Sequence, residues 1–486
     1  MSTAEPYYKA DHLFLLVGEN PLPNYIAAKM LLKEGGTIYL VHSTDTASKA
    51  DCIGRMLEPI NVVFISLGRN EAKSNFIQNE IQGRIKKILE EHPDHTFGLN
   101  YTGGTKAMSV HGYRALFEAS GVENRRFSYL DARSLQMLID RNNDSPKPEP
   151  VTVKVSLKEI FNLHDLRWQE KEGQKPITEP KMPELATELA KLHIDKNLVF
   201  AWHWWCTNVL HPATRKSKKK PHKSPDWKSD TELEKVVLPL QPHSAIQKLN
   251  EALLESLKPS EEGKTLLELF QEDNFKRLNE LCSFYNALWL QDYVPYLGKV
   301  GKLLEKYLEA SQTELSLKKA AKHGGFEKAK HVCEWLKGNW LEHYVLQQIQ
   351  EVSKINLDLI NDMGLSFKVR DKAKEDEDQD KFEFDVAFMG GYQLFAISCT
   401  TDDTPTLCKS KLFEAYIRAR QLGGEQARVA LVCCYNNPKK LEVELKVETE
   451  VDKEDPKIVV FGPQHLDNLQ VHIKSWIDNN NRYYLP

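Results

Sequence analysis

A chain of 486 residues is long enough for about three domains. Hydrophobic residues make up 41% and charged residues 28%, the balance of a soluble globular protein, and the formal net charge of -4 means that any nucleic-acid surface must be local. No apolar run approaches the ~18 residues needed to span a bilayer, so no membrane partner is expected. The segment Met1 to Lys9 lacks a signal-peptide pattern. The cysteines, Cys52, Cys206, Cys282, Cys333, Cys399, Cys408, Cys433 and Cys434, form no CxxC pair and read as reduced thiols of a cytoplasmic protein.

Residues 12–17 are a buried apolar strand, followed by the breaker-rich turn Gly18-Glu19-Asn20-Pro21-Leu22-Pro23-Asn24 and a helix from Tyr25 to Lys33. Gly35-Gly36 is expected to end that helix. Strands at 37–41 and 61–66, helices at 48–57 and 75–91, and a short strand at 96–99 continue the alternation. Between the first two strands and their helices lie the loops 18–24 and 42–46, the second containing Ser43 and Thr44. A closing hairpin is expected from strands at 127–130 and 135–139. Alternating strands and helices imply a parallel sheet with helices on both faces, and ligands bind such sheets beyond the carboxyl ends of the strands.

The stretch Asn100-Tyr101-Thr102-Gly103-Gly104-Thr105-Lys106 falls at a strand-to-helix turn on that edge. Glycines let backbone approach a ligand closely, and a helix N-terminus offers N–H groups and positive dipole to phosphate. The threonine hydroxyls and Lys106 add contacts. The plainer reading is a capped helix start after a glycine turn. No GxGxxG is present, which argues against a conventional dinucleotide site.

With the Gly18–Asn24 loop and the strand order, the Thr102-Gly103-Gly104-Thr105-Lys106 turn resembles the CRISPR-associated Rossmann-fold (CARF) sensor domains over about the first 140 residues. The resemblance implies a homodimer that binds cyclic oligoadenylate, cyclic tetra-adenylate being the first candidate, through Gly18, Asn20, Pro21, Ser43, Thr44, Asn100, Thr102, Gly103, Gly104, Thr105 and Lys106.

Pro146 to Pro150 reads as a stiff linker and a domain boundary. Beyond it, 157–166 and 183–197 read as helical, and Val199 to Cys206 is an aromatic stretch better suited to a core helix than to base stacking. The basic run Arg215 to Lys223 has two readings, a solvated loop or a phosphate-contacting one. His203, His211 and His222 have no metal-site spacing, and 240–330 carries helical periodicity around Leu266, Leu267, Leu269 and Phe270.

From Gly325 the pattern changes. A helix from Phe326 to Leu336 precedes a second one opening at Gly338-Asn339-Trp340-Leu341-Glu342. Strands follow at 365–370, 382–388 and 393–398, with an acidic loop at 374–381, then a helix at 407–422 closed by Gly423-Gly424 and a strand at 427–433. A helix bearing Glu, a hairpin bearing Asp385, and a further helix resemble the PD-(D/E)xK nuclease core, and the Gly-x-Trp-Leu-Glu helix is shared with nucleases that carry this core behind a CARF domain. The resemblance implies that Glu342 and Asp385 are ligands for Mg²⁺ or Mn²⁺ and that the substrate is nucleic acid, DNA or RNA. Where the family carries Glu-x-Lys, this chain has Ser398-Cys399-Thr400. Either Lys409 or Lys411 reaches back from the next helix, with Glu414 as a spare carboxylate on the Lys411 stripe, or the site is degenerate.

The expected architecture is therefore α/β at both ends: a Rossmann-like CARF domain at 1–145, a mainly helical middle region at 146–325, and a restriction-endonuclease-like domain at 326–486. The expected function is cyclic-oligoadenylate-activated, metal-dependent cleavage of nucleic acid by a CRISPR ancillary protein. A catalytically degenerate sensor and a ring nuclease acting on the messenger itself are the alternatives.

Overall fold

The computed structural model describes residues 6–141, 144–168, 177–216, 227–240, 293–371 and 382–483. The helical periodicity around Leu266 to Phe270, the acidic loop 374–381 and most of the basic run 215–223 lie outside these residues. By contacts the chain forms two units, one made of 1–179, 348–462 and 468–486, the other of 180–347 and 463–467. Among the described residues no helix is long and apolar enough to cross a membrane.

The first unit opens with the alternation β1 (Ala10–Leu16), α1 (Leu22–Leu31), β2 (Leu32–His42), α2 (Ala47–Leu57), β3 (Asn61–Ser66), α3 (Ser74–Glu91), β4 (Phe97–Asn100) and α4 (Lys106–Phe117). The hairpin β5 (Arg125–Asp131) and β6 (Gln136–Arg141) follows, then β7 (Asp144–Pro150). Their order across the sheet is β3-β2-β1-β4-β5-β6-β7, parallel from β3 to β5. β1 is a near-continuous apolar run because helices cover both of its faces. On one face, Ile77, Ile81, Ile85 and Ile88 of α3 and Met108 and Leu116 of α4 pack on Phe14, Leu16 and Leu99. Four isoleucines at three- and four-residue spacing make α3 amphipathic.

Two expectations about this sheet are corrected. Gly35-Gly36 does not cap α1. The helix stops at Leu31, and the glycines form a bulge in β2, where the register jumps from Ala10↔Leu32 to His12↔Thr37. Gly36 admits no side chain, because a Cβ would lie 2.7 Å from the Asp11 carbonyl. The Pro146–Pro150 segment is not a linker. It is paired antiparallel with β6 as the last strand of the sheet. An edge strand tolerates proline, whose fixed φ suits extended backbone and whose missing N–H faces no partner.

After β7 come α5 (Leu157–Leu163) and β8 (Leu166–Trp168). Ser156 and Glu159 form a reciprocal cap at the start of α5. The Glu159 carboxylate also accepts from Tyr25 Oη at 2.7 Å and from Lys29 Nζ at 3.2 Å, tying α1 to α5.

The second unit is mainly helical. The expected helix over 183–197 is split into α6 (Pro183–Leu192) and α7 (Lys196–Trp205), with Asp195 capping α7 through the N–H groups of Asn197 and Leu198. Trp202 and Trp205 of the aromatic stretch are buried. Strands β9 (Val237–Pro239) and β10 (Glu314–Ser316) make a small antiparallel sheet, with α8 (Val294–Tyr307) between them in sequence. The helix expected over 326–336 is shorter, Ala329–Glu334, and continues as a π-helical turn, Trp335–Asn339, into α9 (Trp340–Ile355). Trp335 and Trp340 are fully buried around that turn.

The remainder of the first unit is a six-stranded sheet of order β15-β14-β13-β12-β11-β8. It comprises β11 (Asp362–Asp371), β12 (Phe382–Gly390), β13 (Gln393–Thr400), β14 (Arg428–Cys433) and β15 (Ile458–Phe461), with α10 (Pro405–Gly423), α11 (Pro438–Glu448) and α12 (Leu469–Tyr483). Phe388 stacks on Phe395 at 4.5 Å, and Trp476 of α12 meets Phe395 edge-on. The other face shares one core with the seven-stranded sheet. Tyr25 and Ile26 of α1 and Phe161 of α5 belong to the same cluster as Leu394 and Ala396 of β13, Leu422 of α10 and Val429 of β14.

Burial by itself would raise the Glu159 pKa, but hydrogen bonds from the Ser156 N–H, Tyr25, the Ser156 hydroxyl and Lys29 outweigh it and bring the group down to about 2. A folded pKa below the unfolded value stabilises above the unfolded value and is lost as pH falls through the folded one. Acid titration of stability should therefore show a loss between about pH 4.5 and 2 that Glu159→Gln flattens, read from urea midpoints across that window.

Candidate functional site

Strand order reverses direction on either side of β1, whose parallel neighbours are β2 and β4. The crevice beyond the carboxyl ends of β1 and β4 is the topological switch point, where open α/β sheets take their ligands. The loops that meet there are 17–21 and 101–105. A Cβ on Gly103 would sit 2.2 Å from the Leu16 carbonyl oxygen and 3.1 Å from Asn24 Oδ1. One on Gly18 would sit 3.0 Å from the Gly104 nitrogen, and Gly104 has a φ of +73°. The two loops therefore touch backbone to backbone, and only glycine fits at 103.

Polar groups hold this cradle. Buried Asn100 donates to Ser128 Oγ at 3.1 Å and accepts from the Thr102 N–H at 3.3 Å. Thr102 Oγ1 accepts from the Leu130 N–H at 2.6 Å. Thr105 caps α4 by accepting from the Met108 N–H, and its hydroxyl donates to the Glu71 carbonyl at 3.4 Å. Lys106, the first residue of α4, is exposed and has no ion pair among the described residues. Ser43 and Thr46 bond reciprocally, and the Thr44 N–H donates to the Gly68 carbonyl at 2.8 Å. Through Gly68 and Glu71, the loop after β3 joins the cluster, a participant the sequence reading omitted.

Asn20 and Pro21 serve the start of α1. Asn20 Oδ1 accepts from the Leu22 N–H at 3.0 Å, and Pro21 is the N-cap residue. Asn24 was also missed as a site residue. It is fully buried, its Nδ2 donates to Leu16 at 2.9 Å, and its Oδ1 has no partner among the described residues while lying beside Gly103. A buried asparagine on an apolar helix face is the signal that marks it.

The second candidate centre lies at the far end of the hairpin β12–β13. Asp385 Oδ2 accepts from Ser398 Oγ at 2.9 Å and from the Cys399 N–H at 2.7 Å. Lys411 Nζ is 3.7 Å from the same oxygen and 3.4 Å from the Cys399 carbonyl. Asp385 Oδ1 carries no protein hydrogen bond among the described residues. Thr400 Oγ1 accepts from the Asp402 N–H at 3.1 Å. Lys409 is engaged elsewhere, 2.6 Å from Glu448 and 3.6 Å from Glu444 of α11. Glu414 is exposed. Glu342 lies in the first turn of α9, half-buried, in the second unit.

Among the described residues no group of three or more His, Cys, Asp or Glu side chains is spaced to hold a metal ion. The donors at Asp385 are nonetheless of the right class for a hard cation: one carboxylate oxygen is held by two hydrogen bonds and the other is left over.

Residues 329–480 match the family model described as "Card1-like, endonuclease domain". No curated protein matches the chain. Among solved structures, protein VC1899 from Vibrio cholerae aligns over 97% of this chain and 99% of its own, with a TM-score of 0.56 at 13% identity. Can2 from Sulfobacillus thermosulfidooxidans, determined in complex with cyclic tetra-adenylate, aligns over 96% of this chain and 99% of its own, with a TM-score of 0.53 at 15% identity. At such identities the likeness is one of fold.

The cradle geometry makes a stability prediction. Gly103→Ala should destabilise by about 1–3 kcal/mol, because the Leu16 carbonyl must move. Gly83→Ala, at an open position of α3, should stabilise by about 0.5–1 kcal/mol. Urea unfolding of the two variants separates a required glycine from an incidental one. The architecture is the one that the sequence implies, α/β at both ends with a helical middle, and residues 329–480 match the Card1-like endonuclease domain.

Proposed function

We propose that the chain is a type III CRISPR ancillary effector, cytoplasmic and homodimeric, in which cyclic oligoadenylate bound at the switch-point cradle activates cleavage of nucleic acid at the Asp385 centre. The observation that carries the reading is the endonuclease-domain match over 329–480, in a chain whose other sheet ends in the Gly103-Gly104 cradle. Cyclic tetra-adenylate is the first candidate messenger, supported by its presence in the structure of Can2, whose fold this chain shares.

The cradle suits a ring of phosphates. Backbone N–H groups at the start of α4 meet anionic oxygens, Lys106 adds a charge-assisted contact, and Gly103 and Gly104 permit close approach. A cyclic ligand with two-fold symmetry is served by two copies of the cradle. The dimer reading is further supported by α4, where Val110 and Phe117 are more than half exposed and, with Tyr113 at i+3, share one face.

At the second centre, Asp385 would be a ligand for Mg²⁺ or Mn²⁺, which would polarise the scissile phosphate and lower the pKa of a bound water; the family resemblance gives Glu342 the same role. Ser398 and the Cys399 N–H orient the Asp385 carboxylate by saturating Oδ2. Lys411 supplies the positive charge that the family's Glu-x-Lys would have placed on the strand, and it stabilises negative charge developing on phosphate. The segments 1–145, 146–325 and 326–486 correspond to sensor, connecting and nuclease functions in this reading. A degenerate centre that binds without cleaving is the second reading, favoured by Ser398-Cys399-Thr400 in place of Glu-x-Lys.

The test is cleavage of single- and double-stranded DNA and of RNA with Mg²⁺ or Mn²⁺, with and without cyclic tetra- and hexa-adenylate. Cleavage that requires both metal and messenger is the expected result. Tight messenger binding without cleavage selects the degenerate reading. Lys411→Ala should lower the activated rate by about 10²-fold or more, in the range of lost electrostatic stabilisers. Lys409→Ala, which breaks only an exposed pair, should stay within about threefold. Asp385→Asn and Glu342→Gln should abolish cleavage while messenger binding persists, and Lys106→Ala should weaken that binding by about tenfold. Equal losses at Lys409 and Lys411 would refute the assignment of the cation.

A further inference from the structure

The loop after β1 belongs to the cradle on one side and meets the nuclease-like sheet on the other. Asn20 Oδ1 is held by the Leu22 N–H. The opposite end of the same amide lies against Gly424: a Cβ at Gly424 would be only 2.3 Å from Asn20 Nδ2. Gly424 has φ +65° and ψ -148°, a combination open essentially to glycine alone. Both residues lie in the first unit, and the core beneath them is continuous from α1 to α10, β13 and β14.

Gly424 caps α10, its N–H donating to the Arg420 carbonyl. The surrounding turn is stiff. Glu425 is gripped by Arg420 at 2.5 Å and Lys457 at 3.1 Å, and a His164 ring nitrogen pairs with the Leu422 carbonyl at 2.9 Å. α10 has 19 residues, a rod of about 28 Å at 1.5 Å per residue. Cys408, Leu412, Ala415, Tyr416, Ala419 and Leu422 are buried along it, so a close-packed seat carries a push at one end to the other. Near the start of the rod is Lys411, beside Asp385.

We propose that the Asn20–Gly424 contact is the positioning contact of the enzyme: an occupied cradle moves or stiffens the Asn20 loop, which resets α10 through Gly424 and thereby places Lys411 against Asp385. The inference rests on the reading of the cradle as a cyclic-oligoadenylate site. It adds a route within a single protomer, from one amide to one helix end to one lysine. The ligand acts only through its different affinity for the two placements of the loop.

Hydrogen exchange by mass spectrometry on the full chain, with and without cyclic tetra-adenylate, tests it. Exchange should change in 18–24 and also in 422–427, where the Gly424 N–H reports the end of α10. A change in 18–24 with none in 422–427 overturns the coupling and leaves the sensor reading standing. No change in 18–24 removes the sensor reading and the coupling together. Gly424→Ala provides the functional arm. Messenger affinity should stay within about threefold while the ratio of stimulated to unstimulated cleavage falls by about tenfold, the scale of a typical coupling between sites. Gly35→Ala controls for backbone strain, since Gly35 also has positive φ (+76°) but nothing within 4 Å of a Cβ, and its ratio should be unchanged. A Gly424→Ala protein that folds, binds messenger and keeps its full stimulation ratio refutes the proposal, and if that variant fails to fold the exchange experiment on the native chain decides.

Discussion

No side chain fits between the Gly103 Cα and the Leu16 carbonyl, and the carboxyl edge of the seven-stranded sheet is arranged around that exclusion. Because the β4–α4 turn rests on the end of β1, the loops after both strands form one surface, with Gly18 against Gly104. Asn24 completes the contact from α1 by bonding the same Leu16 carbonyl. Its unpartnered Oδ1 is a standing cost of burial, and that oxygen lies at the glycine turn.

Much of this was legible in sequence, for identifiable reasons. Apolar runs mark parallel strands, so β1, β3 and β4 stood out within a residue or two, while the first five residues of β2 were hidden by its glycine bulge, and the glycine turn declared itself by composition. Asp385 was singled out by the resemblance to the nuclease core, on a strand that alternates Phe382-Glu383-Phe384-Asp385. The misses have equally definite causes. Proline content made Pro146–Pro150 look like a linker, although an edge strand suits proline. The π-turn at Trp335–Asn339 leaves no period of its own and hid the continuity between two helices. The three-residue strand β8, Leu166–Trp168, joins a sheet whose next strand begins only at Asp362, and no local pattern announces that pairing. The choice between Lys409 and Lys411 was open because both follow the strand closely. Two residues on a helix are about 200° apart, so only one can face the sheet, and the structure turns Lys411 inward and gives Lys409 to α11.

The division into units also differs from a division by sequence segments. The seven-stranded and six-stranded sheets belong to one contact unit with one core, while α6 to α8 and the start of α9 form another. A ligand edge and a carboxylate centre built on a common core are mechanically continuous, since close-packed interiors transmit displacement rather than absorb it. The contacts that fasten the first sheet to the second are correspondingly specific: the Val155 N–H to the Gly391 carbonyl, Tyr25 to Glu159, and His164 to Leu422.

In the proposed reading, that continuity gives a physical meaning to Ser398-Cys399-Thr400. Residues 398 to 400 sit in the middle of a sheet, and their parallel ladder to Leu431, Val432 and Cys433 fixes the backbone. A lysine there would be held in place whether or not a messenger were present. Lys411 instead rides on a helix whose far end lies against Asn20 of the loop after β1. Its amine stands 3.7 Å from Asp385, beyond hydrogen-bond length, and its side chain is 37% exposed. A small shift of α10 would therefore change the charge beside Asp385. In that reading, a cation carried on a helix rather than on the strand takes a position that the rest of the fold can set.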